Sequence, residues 1–386
     1  MKILFLVSDL SQFGGIQKYN RDFLSALSKL DVNPVRSSHG ALNHVFAKIK
    51  PHSSPPQPQA AGHSASNGVK TILIERQKGC FIAKIFFFFR FITRFFQERP
   101  DVIFCSHLNF SPMCLIVKNI FKTPYVLTLY GVEAFKIKGR LKRRGVREAE
   151  RIITISEYIK GFILKQFPEV EDNIFMLPSA VDGSLFFIKK KKRELVEKLR
   201  ITDKKIILTL ARLLSIKDKG QDRVLKALPY VLKKVPDATY LIVGGGEDNR
   251  VNAFLKEHPE LEKYVIFAGP IPDEDRVDYY NLGDVFILPS KFEGFGIVFI
   301  ESLACGVPVI ASDDYGCREG LLSGELGLLV PPDDIRAIAD TIITILNKQA
   351  PPMLFNRERL RARTLEIYGI DTWNARVKQL VDIFSS

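Results

Sequence analysis

The sequence predicts an α/β protein of two Rossmann-like domains, and three observations lead there. Its 386 residues are long for one domain and sufficient for two of roughly 190, each able to bury about 70% of its unfolded surface. The runs KILFLVS (2–8), DVIFCS (101–106) and DVFILPS (284–290) have the near-continuous apolar character of parallel strands covered on both faces. Each half also carries a strand, a glycine turn and a helical segment in succession. Gly14-Gly15 precede the helix-spaced stretch 16–30, and Gly294 and Gly296 precede the apolar stretch 297–304.

Composition narrows the class. Apolar residues make up 46% and charged residues 26%, ordinary for a globular chain, although phenylalanine is high at 29. Cys80, Cys105, Cys114, Cys305 and Cys317 show no metal-binding or redox spacing and are expected as buried thiols in a reducing, cytoplasmic compartment. Met1 runs straight into a strand, so no signal peptide is expected. Residues 1–187 carry 26 Lys and Arg against 14 Asp and Glu, whereas 188–386 carry 30 against 29. The first half thus holds nearly the whole basic excess and is expected to face an anionic partner. No nucleic-acid motif accompanies the charge, so an anionic membrane fits better than nucleic acid.

Taken in order, the first strand and the Gly14-Gly15 turn lack the full G-x-G-x-x-G dinucleotide fingerprint, which counts against an NAD enzyme. Residues 36–68, rich in Ser, Pro, His and Ala, read as a long loop whose His39, His44 and His63 lack ligand spacing. A strand at 71–74 leads to CFIAKIFFFFRFITRFFQER, in which the longest apolar run is five residues, far short of the roughly 20 that span a bilayer. Two readings fit this stretch: a core helix, or a basic aromatic helix lying in a membrane interface. One helix can do both. His107 follows the strand 101–106 at its carboxyl end, where open α/β sheets gather ligands. Further strands are expected at 125–130 and 151–155, separated by the basic stretch KIKGRLKRRGVR (136–147), whose solvated-face and lipid-binding readings are both open. Lys189 to Arg193 reads as a charged linker. In the second half, IILTLAR ends at Arg212, and Lys219-Gly220 opens a helix seven residues later. Two cations placed at a strand end and a helix start can neutralise a diphosphate. Lys217 competes with Lys219, and the glycine after Lys219 favours the latter. Strands at 240–246 and 265–269 follow.

The most informative stretch is DVFILPSKFEGFGIVFIESLACGVPVIASDDYG (284–316): strand, glycine loop, helix, strand. Free backbone N–H groups at the helix start, reachable because glycine lacks a side chain, can take a phosphate. Glu293 and Glu301 flank them, and carboxylates suit donating hydroxyls, not the phosphate itself. A phosphate between hydroxyls describes a nucleotide sugar. The spacing Glu293-x7-Glu301 around F-E-G-F-G, followed by G-V-P-V-I-A-S, resembles the signature of the retaining glycosyltransferases of the GT-B fold, family 4.

That resemblance implies two Rossmann-like domains facing across a cleft: 1–184 for the acceptor and 185–367 for the nucleotide sugar, with a helix at about 368–386 crossing back to the first. It implies Glu293, His107, Arg212 and Lys219 as catalytic groups. The donor would be held by Gly15, Gly294, Phe295, Gly296, Ile297, Glu301 and Ile271, the last beside the nucleobase. The donor would be a UDP-, GDP- or ADP-sugar, with no cofactor and no metal, because no D-x-D-type motif sits at a strand end. The acceptor would be a glycan or a lipid-linked molecule. Tyr130 and Glu133 depart from the histidine and aspartate the family often places there. An epimerase of the same fold and an inactive membrane-bound scaffold are the competing readings.

Overall fold

The computed structural model describes residues 1–8, 10, 14–30, 69–76, 81–214, 218–291, 293–314 and 316–385. The loop expected over 36–68 with its three histidines, Cys80 and the rival Lys217 lie outside the described residues.

The first half builds one parallel six-stranded sheet. Its strands are β1 (Lys2–Ser8), β2 (Lys70–Arg76), β3 (Val102–Cys105), β4 (Tyr125–Leu129), β5 (Arg151–Thr154) and β6 (Ile174–Met176), in the order β2-β1-β3-β4-β5-β6. Connecting helices are α1 (Gly15–Lys29), α2 (Phe81–Glu98), α3 (Ser111–Phe121), α4 (Arg140–Arg147) and α5 (Glu157–Gln166). Helices on the faces are what a parallel sheet requires, and they explain why β3 and β4 are buried along their whole length. The second half repeats the plan with β7 (Lys205–Leu210), β9 (Ala238–Val243), β11 (Val265–Gly269), β12 (Val285–Leu288), β13 (Val309–Ser312) and β14 (Gly327–Val330), ordered β11-β9-β7-β12-β13-β14. A two-residue pair, β8 (Leu213–Leu214) with β10 (Gly246–Glu247), lies beside it. Its helices are α6 (Arg193–Leu199), α7 (Gln221–Leu232), α8 (Asn249–Glu257), α9 (Ile297–Ala304), α10 (Ile335–Leu346), α11 (Arg357–Tyr368) and α12 (Ile370–Asp382).

Both sheets reverse direction at one point, between β1 and β3 in the first and between β7 and β12 in the second. Open parallel sheets bind ligands outside the carboxyl ends of the strands at such switch points. Gly15, His107, Arg212 and Glu293 all follow one of these four strands.

The last helix ties the halves together. Trp373 on α12 meets Tyr19 and Phe23 of α1 edge-on at 5.5 and 5.7 Å, and its indole N–H donates to the Pro178 carbonyl at 2.7 Å. Helix α2 fits the core-helix reading on one face and leaves its other face exposed. Phe87, Phe91 and Phe95, spaced one turn apart, are buried, while Phe86 and Phe89 on the other side are 69% and 61% exposed. Cys105, Cys114, Cys305 and Cys317 are unpaired and buried, and burial pushes the Cys305 and Cys317 thiols up to about 12.

Candidate active site

The second domain brings its charged residues together by close backbone approach. Gly220 has φ +83°, and a Cβ there would lie 2.6 Å from the Pro289 carbonyl, so only glycine lets the start of α7 press against the end of β12. Buried Arg223 fastens this junction, donating to the Pro289 carbonyl at 2.7 Å and pairing with Asp218 at 2.7 Å. The Lys291 N–H donates to the Asp218 carbonyl at 2.9 Å. Lys219 is thereby delivered to the glycine loop, where its Nζ lies 2.5 Å from Glu293 Oε2. Arg212 is exposed beyond β7 and forms no ion pair among the described residues. Its Nη2 is 4.0 Å from where a Cβ on Gly14 would sit.

The two glycine turns meet across the cleft. A Cβ on Gly15 would be 3.4 Å from the Ile297 side chain, and one on Gly294 would be 2.7 Å from the Tyr130 carbonyl. Gly316 sits beneath the loop; a Cβ there would come within 2.1 Å of the Gly294 carbonyl. Gly296 caps α9 with φ +90° and its carbonyl accepts the Phe299 N–H at 2.9 Å, leaving the N–H groups of Ile297 and Val298 without intrahelical partners. Phe295 is buried against Tyr368, ring centroids 5.4 Å apart. The other end of α9 is closed by two arginines of α11. Arg357 donates to the Cys305 carbonyl at 2.8 Å and Arg361 to the Ala304 carbonyl at 2.6 Å. Arg361 also reaches the Gly183 carbonyl, at 2.7 Å, in the link between the two sheets.

Glu301 is not on the open surface of the cleft. It is fully buried on α9; Tyr280 donates to its Oε2 at 2.8 Å, and Arg276 pairs with the same oxygen. Ile271, half-buried, follows β11, and the preceding Pro270 lies 3.4 Å from the position of a Cβ on Gly245.

On the first domain, His107 caps the turn after β3: its Nδ1 accepts the Asn109 N–H at 3.0 Å, which puts the proton of the neutral ring on Nε2. Burial, helped by the charges of Arg76 and Lys142 and opposed by Glu133, pushes its pKa below the usual histidine range. Tyr130 turns into the core, where its hydroxyl donates to Asn20 Oδ1 at 2.6 Å, and Glu133 accepts the Tyr130 N–H at 2.6 Å.

Sequence reasoning gave no role to Glu319. From the turn Cys317–Gly320 of the second domain, its carboxylate accepts the N–H groups of Glu157 and Tyr158 at 2.6 and 2.8 Å, capping α5 of the first domain. Capping is visible in a sequence only when cap and helix are neighbours, and these lie 161 residues apart or more. The hold of Arg223 on the Pro289 carbonyl, 66 residues away, is hidden for the same reason. Among the described residues no group of three or more His, Cys, Asp or Glu is placed to hold a metal ion.

Two parallel sheets with glycine turns at both switch points, and the Lys219–Glu293 charge pair at the second, define a two-domain α/β protein. The chain belongs to the group 1 glycosyltransferases: residues 13–184 match "Glycosyltransferase Family 4" and residues 191–364 match "Glycosyl transferases group 1". It is 30% identical over 249 residues to the GDP-mannose-dependent alpha-(1-6)-phosphatidylinositol monomannoside mannosyltransferase of Mycolicibacterium smegmatis, a stretch covering 61% of this chain and 62% of that protein. It is 25% identical over 364 residues to the corresponding monoacylated-substrate enzyme of Corynebacterium glutamicum, covering 90% of this chain and 89% of that one. Among solved structures, Anabaena HepE in complex with UDP superposes with a TM-score of 0.73 at 18% identity, covering 99% of this chain and 100% of that chain. The fold is the GT-B fold the motifs imply.

Proposed function

We propose that the protein transfers a hexose from a nucleoside-diphosphate sugar to an envelope glycan or glycolipid acceptor with retention of anomeric configuration. The observation that carries this reading is the meeting of Lys219 with Glu293 at the switch point of the second sheet, with exposed Arg212 following the neighbouring strand β7. In the absence of donor the two charges neutralise each other. A diphosphate entering at Arg212 competes for Lys219 and releases Glu293 to accept sugar hydroxyls. The cations supply the positive charge that stabilises the departing diphosphate, so no metal or other cofactor is required. The acceptor oxygen attacks C1 from the face the diphosphate leaves; the C1–phosphate oxygen bond breaks, the C1–acceptor oxygen bond forms, and the departing phosphate oxygen takes the acceptor's proton. Neutral His107 with its proton on Nε2 donates to the transferring sugar, and the N–H groups of Phe295, Gly296 and Ile297 hold phosphate and sugar. Glu301 accepts from the ribose, and Ile271 lies at the base. Two GDP-mannose-dependent relatives make a GDP-sugar the first donor to test.

The acceptor side is proposed to rest on an anionic membrane from its cytoplasmic face. Phe86 and Phe89 of α2 are exposed on the helix whose exposed Phe96 meets exposed Phe121 of α3 edge-on at 5.2 Å, in the half of the chain that holds the basic excess. No helix of the described residues is long and apolar enough to cross a membrane. A thermal-stabilisation screen of GDP-, UDP- and ADP-sugars tests the donor reading, followed by transfer assays with membrane extract. Stabilisation by one sugar nucleotide and labelled product in the extract are expected. Donor consumption without an acceptor would replace the transferase reading with an epimerase.

A further inference from the structure

The environment of Glu301 is more specific than a buried ion pair needs to be. Its side chain has no solvent exposure, yet its two oxygens are treated differently. Oε2 is saturated, taking the Tyr280 hydroxyl at 2.8 Å and the Arg276 guanidinium. Oε1, equally buried, has no hydrogen-bond partner among the described residues. Buried carboxylate oxygens are almost always paired, and an unpaired one marks either a defect or a place kept for a donor. Tyr280 cannot swing away, because its ring is held between Phe186 at 5.9 Å and Phe286 at 5.7 Å. Its phenol remains a donor, since burial and the neighbouring Glu301 push its pKa well above the usual range. Arg276 lies over the Phe186 ring at 5.7 Å, and its other nitrogen is 3.7 Å from Asp273, on the segment that follows Ile271. One guanidinium therefore spans from Asp273, on the segment after Ile271, to Glu301 on α9.

We propose that Arg276 and Tyr280 are positioning residues for the nucleotide: by fixing one oxygen of Glu301 they hold the other ready for a vicinal diol, the 2′- and 3′-hydroxyls of a ribonucleoside diphosphate. This rests on the reading of Glu301 as the ribose acceptor. Arg276 supplies the counter-charge that a buried carboxylate needs, and Tyr280 sets its rotation, so the unpaired oxygen costs little reorganisation when ligand arrives. Selectivity for ribose over deoxyribose is then a property of the trio, and grip on the diphosphate is not.

The test compares GDP and UDP with their 2′-deoxy and 3′-deoxy counterparts, and with inorganic pyrophosphate, by calorimetry. The wild type, Glu301→Gln, Arg276→Gln, Arg276→Lys and Tyr280→Phe are titrated in parallel. The wild type is expected to prefer the ribonucleotide by roughly 10- to 100-fold, the range for a charged hydrogen bond lost on one side. Arg276→Gln is expected to bring that ratio toward one with pyrophosphate affinity unchanged; Arg276→Lys should recover part of it, and Tyr280→Phe should lower it. Equal losses for ribonucleotide, deoxyribonucleotide and pyrophosphate would show a purely structural role and overturn the proposal. So would an unaltered ratio in Arg276→Gln and Tyr280→Phe while Glu301→Gln abolishes it. If Glu301→Gln itself leaves the ratio intact, the ribose reading of Glu301 falls and takes the proposal with it. Should Arg276→Gln not fold, Arg276→Lys and Tyr280→Phe decide by the same ratio.

Discussion

Lys219 and Glu293 form a contact of 2.5 Å between the helix start after β7 and the glycine loop after β12, each side chain about one-fifth to one-quarter exposed. The pair stores no net charge for the ligand until one member is taken. Replacing Glu293 by Gln should therefore leave binding of a bare nucleoside diphosphate unchanged or tighter, while lowering sugar transfer by about 100- to 1,000-fold, the cost of removing one preorganised polar group from a transition state. Calorimetry with GDP and UDP beside a steady-state transfer assay separates the two. Loss of nucleotide binding in step with transfer would mean the carboxylate serves the nucleotide directly.

Glu319 predicts how the two domains hold each other. Its carboxylate caps α5 from the opposite domain despite burial that pushes its pKa upward. Glu319→Ala should remove about 1–2 kcal/mol from domain closure, the usual worth of a helix cap with its dipole term. Ser156, which caps the Ile159 N–H from within the first domain, keeps α5 itself intact. Small-angle scattering should then report a larger radius of gyration without nucleotide and an unchanged helix content by circular dichroism. An unchanged radius would show that closure does not depend on this cap.

His107 fixes the sign of a pH effect. Its pKa in the folded chain lies below the ordinary value, chiefly through burial. Below the ordinary value the unfolded chain binds a proton that the folded chain refuses, so stability falls as pH drops through that window and is full above it. Melting temperatures between pH 5 and 7 should fall toward the acid end, and His107→Gln should flatten that slope. In the wild type, kcat/KM should lose its acid limb below the usual histidine range, because protonation of Nδ1 breaks its bond from the Asn109 N–H. A limb at or above the ordinary value would contradict the burial.

Gly220 tests the backbone approach that delivers Lys219. With φ +83° and a Cβ position 2.6 Å from the Pro289 carbonyl, Gly220→Ala faces both strain and clash. A loss of about 2–4 kcal/mol in urea denaturation is expected, with weaker nucleotide binding in whatever remains folded. Wild-type stability would mean the junction between α7 and β12 has room for a methyl group.

The exposed aromatic face of α2 predicts membrane partition. The protein should co-sediment with phosphatidylglycerol vesicles at low salt and far less with phosphatidylcholine, and Phe86→Ser with Phe89→Ser should release it. Equal binding to both lipids would remove the electrostatic part of the reading.

Much of this was legible from periodicity. The unit 284–316 folds as read, with α9 at Ile297–Ala304, because a glycine loop between two wholly apolar strands leaves one geometry. Gly220, Gly294 and Gly296 stand out in the sequence as turns, but which backbone Gly220 and Gly294 let approach is a tertiary fact. The partners of the site were not legible. Arg223 on the Pro289 carbonyl, Arg276 on Glu301 and Glu319 on α5 are contacts between segments whose order in space the sheet topology decides, and a lone charged residue reads as solvated until that order is known. Glu301 was placed correctly on its helix, while its burial depended on Tyr280 and Arg276, which no spacing connects to it.

The central claim is that a diphosphate is held by Arg212 and Lys219. Calorimetric titration of GDP and UDP into the wild type and into the Arg212→Ala, Lys219→Ala double variant tests it most directly. One of the two nucleotides should bind the wild type, with the double variant weakened by roughly 100-fold or more, the sum of two charge-assisted contacts. Binding of equal strength in the double variant, or no binding of either nucleotide to the wild type, would contradict it.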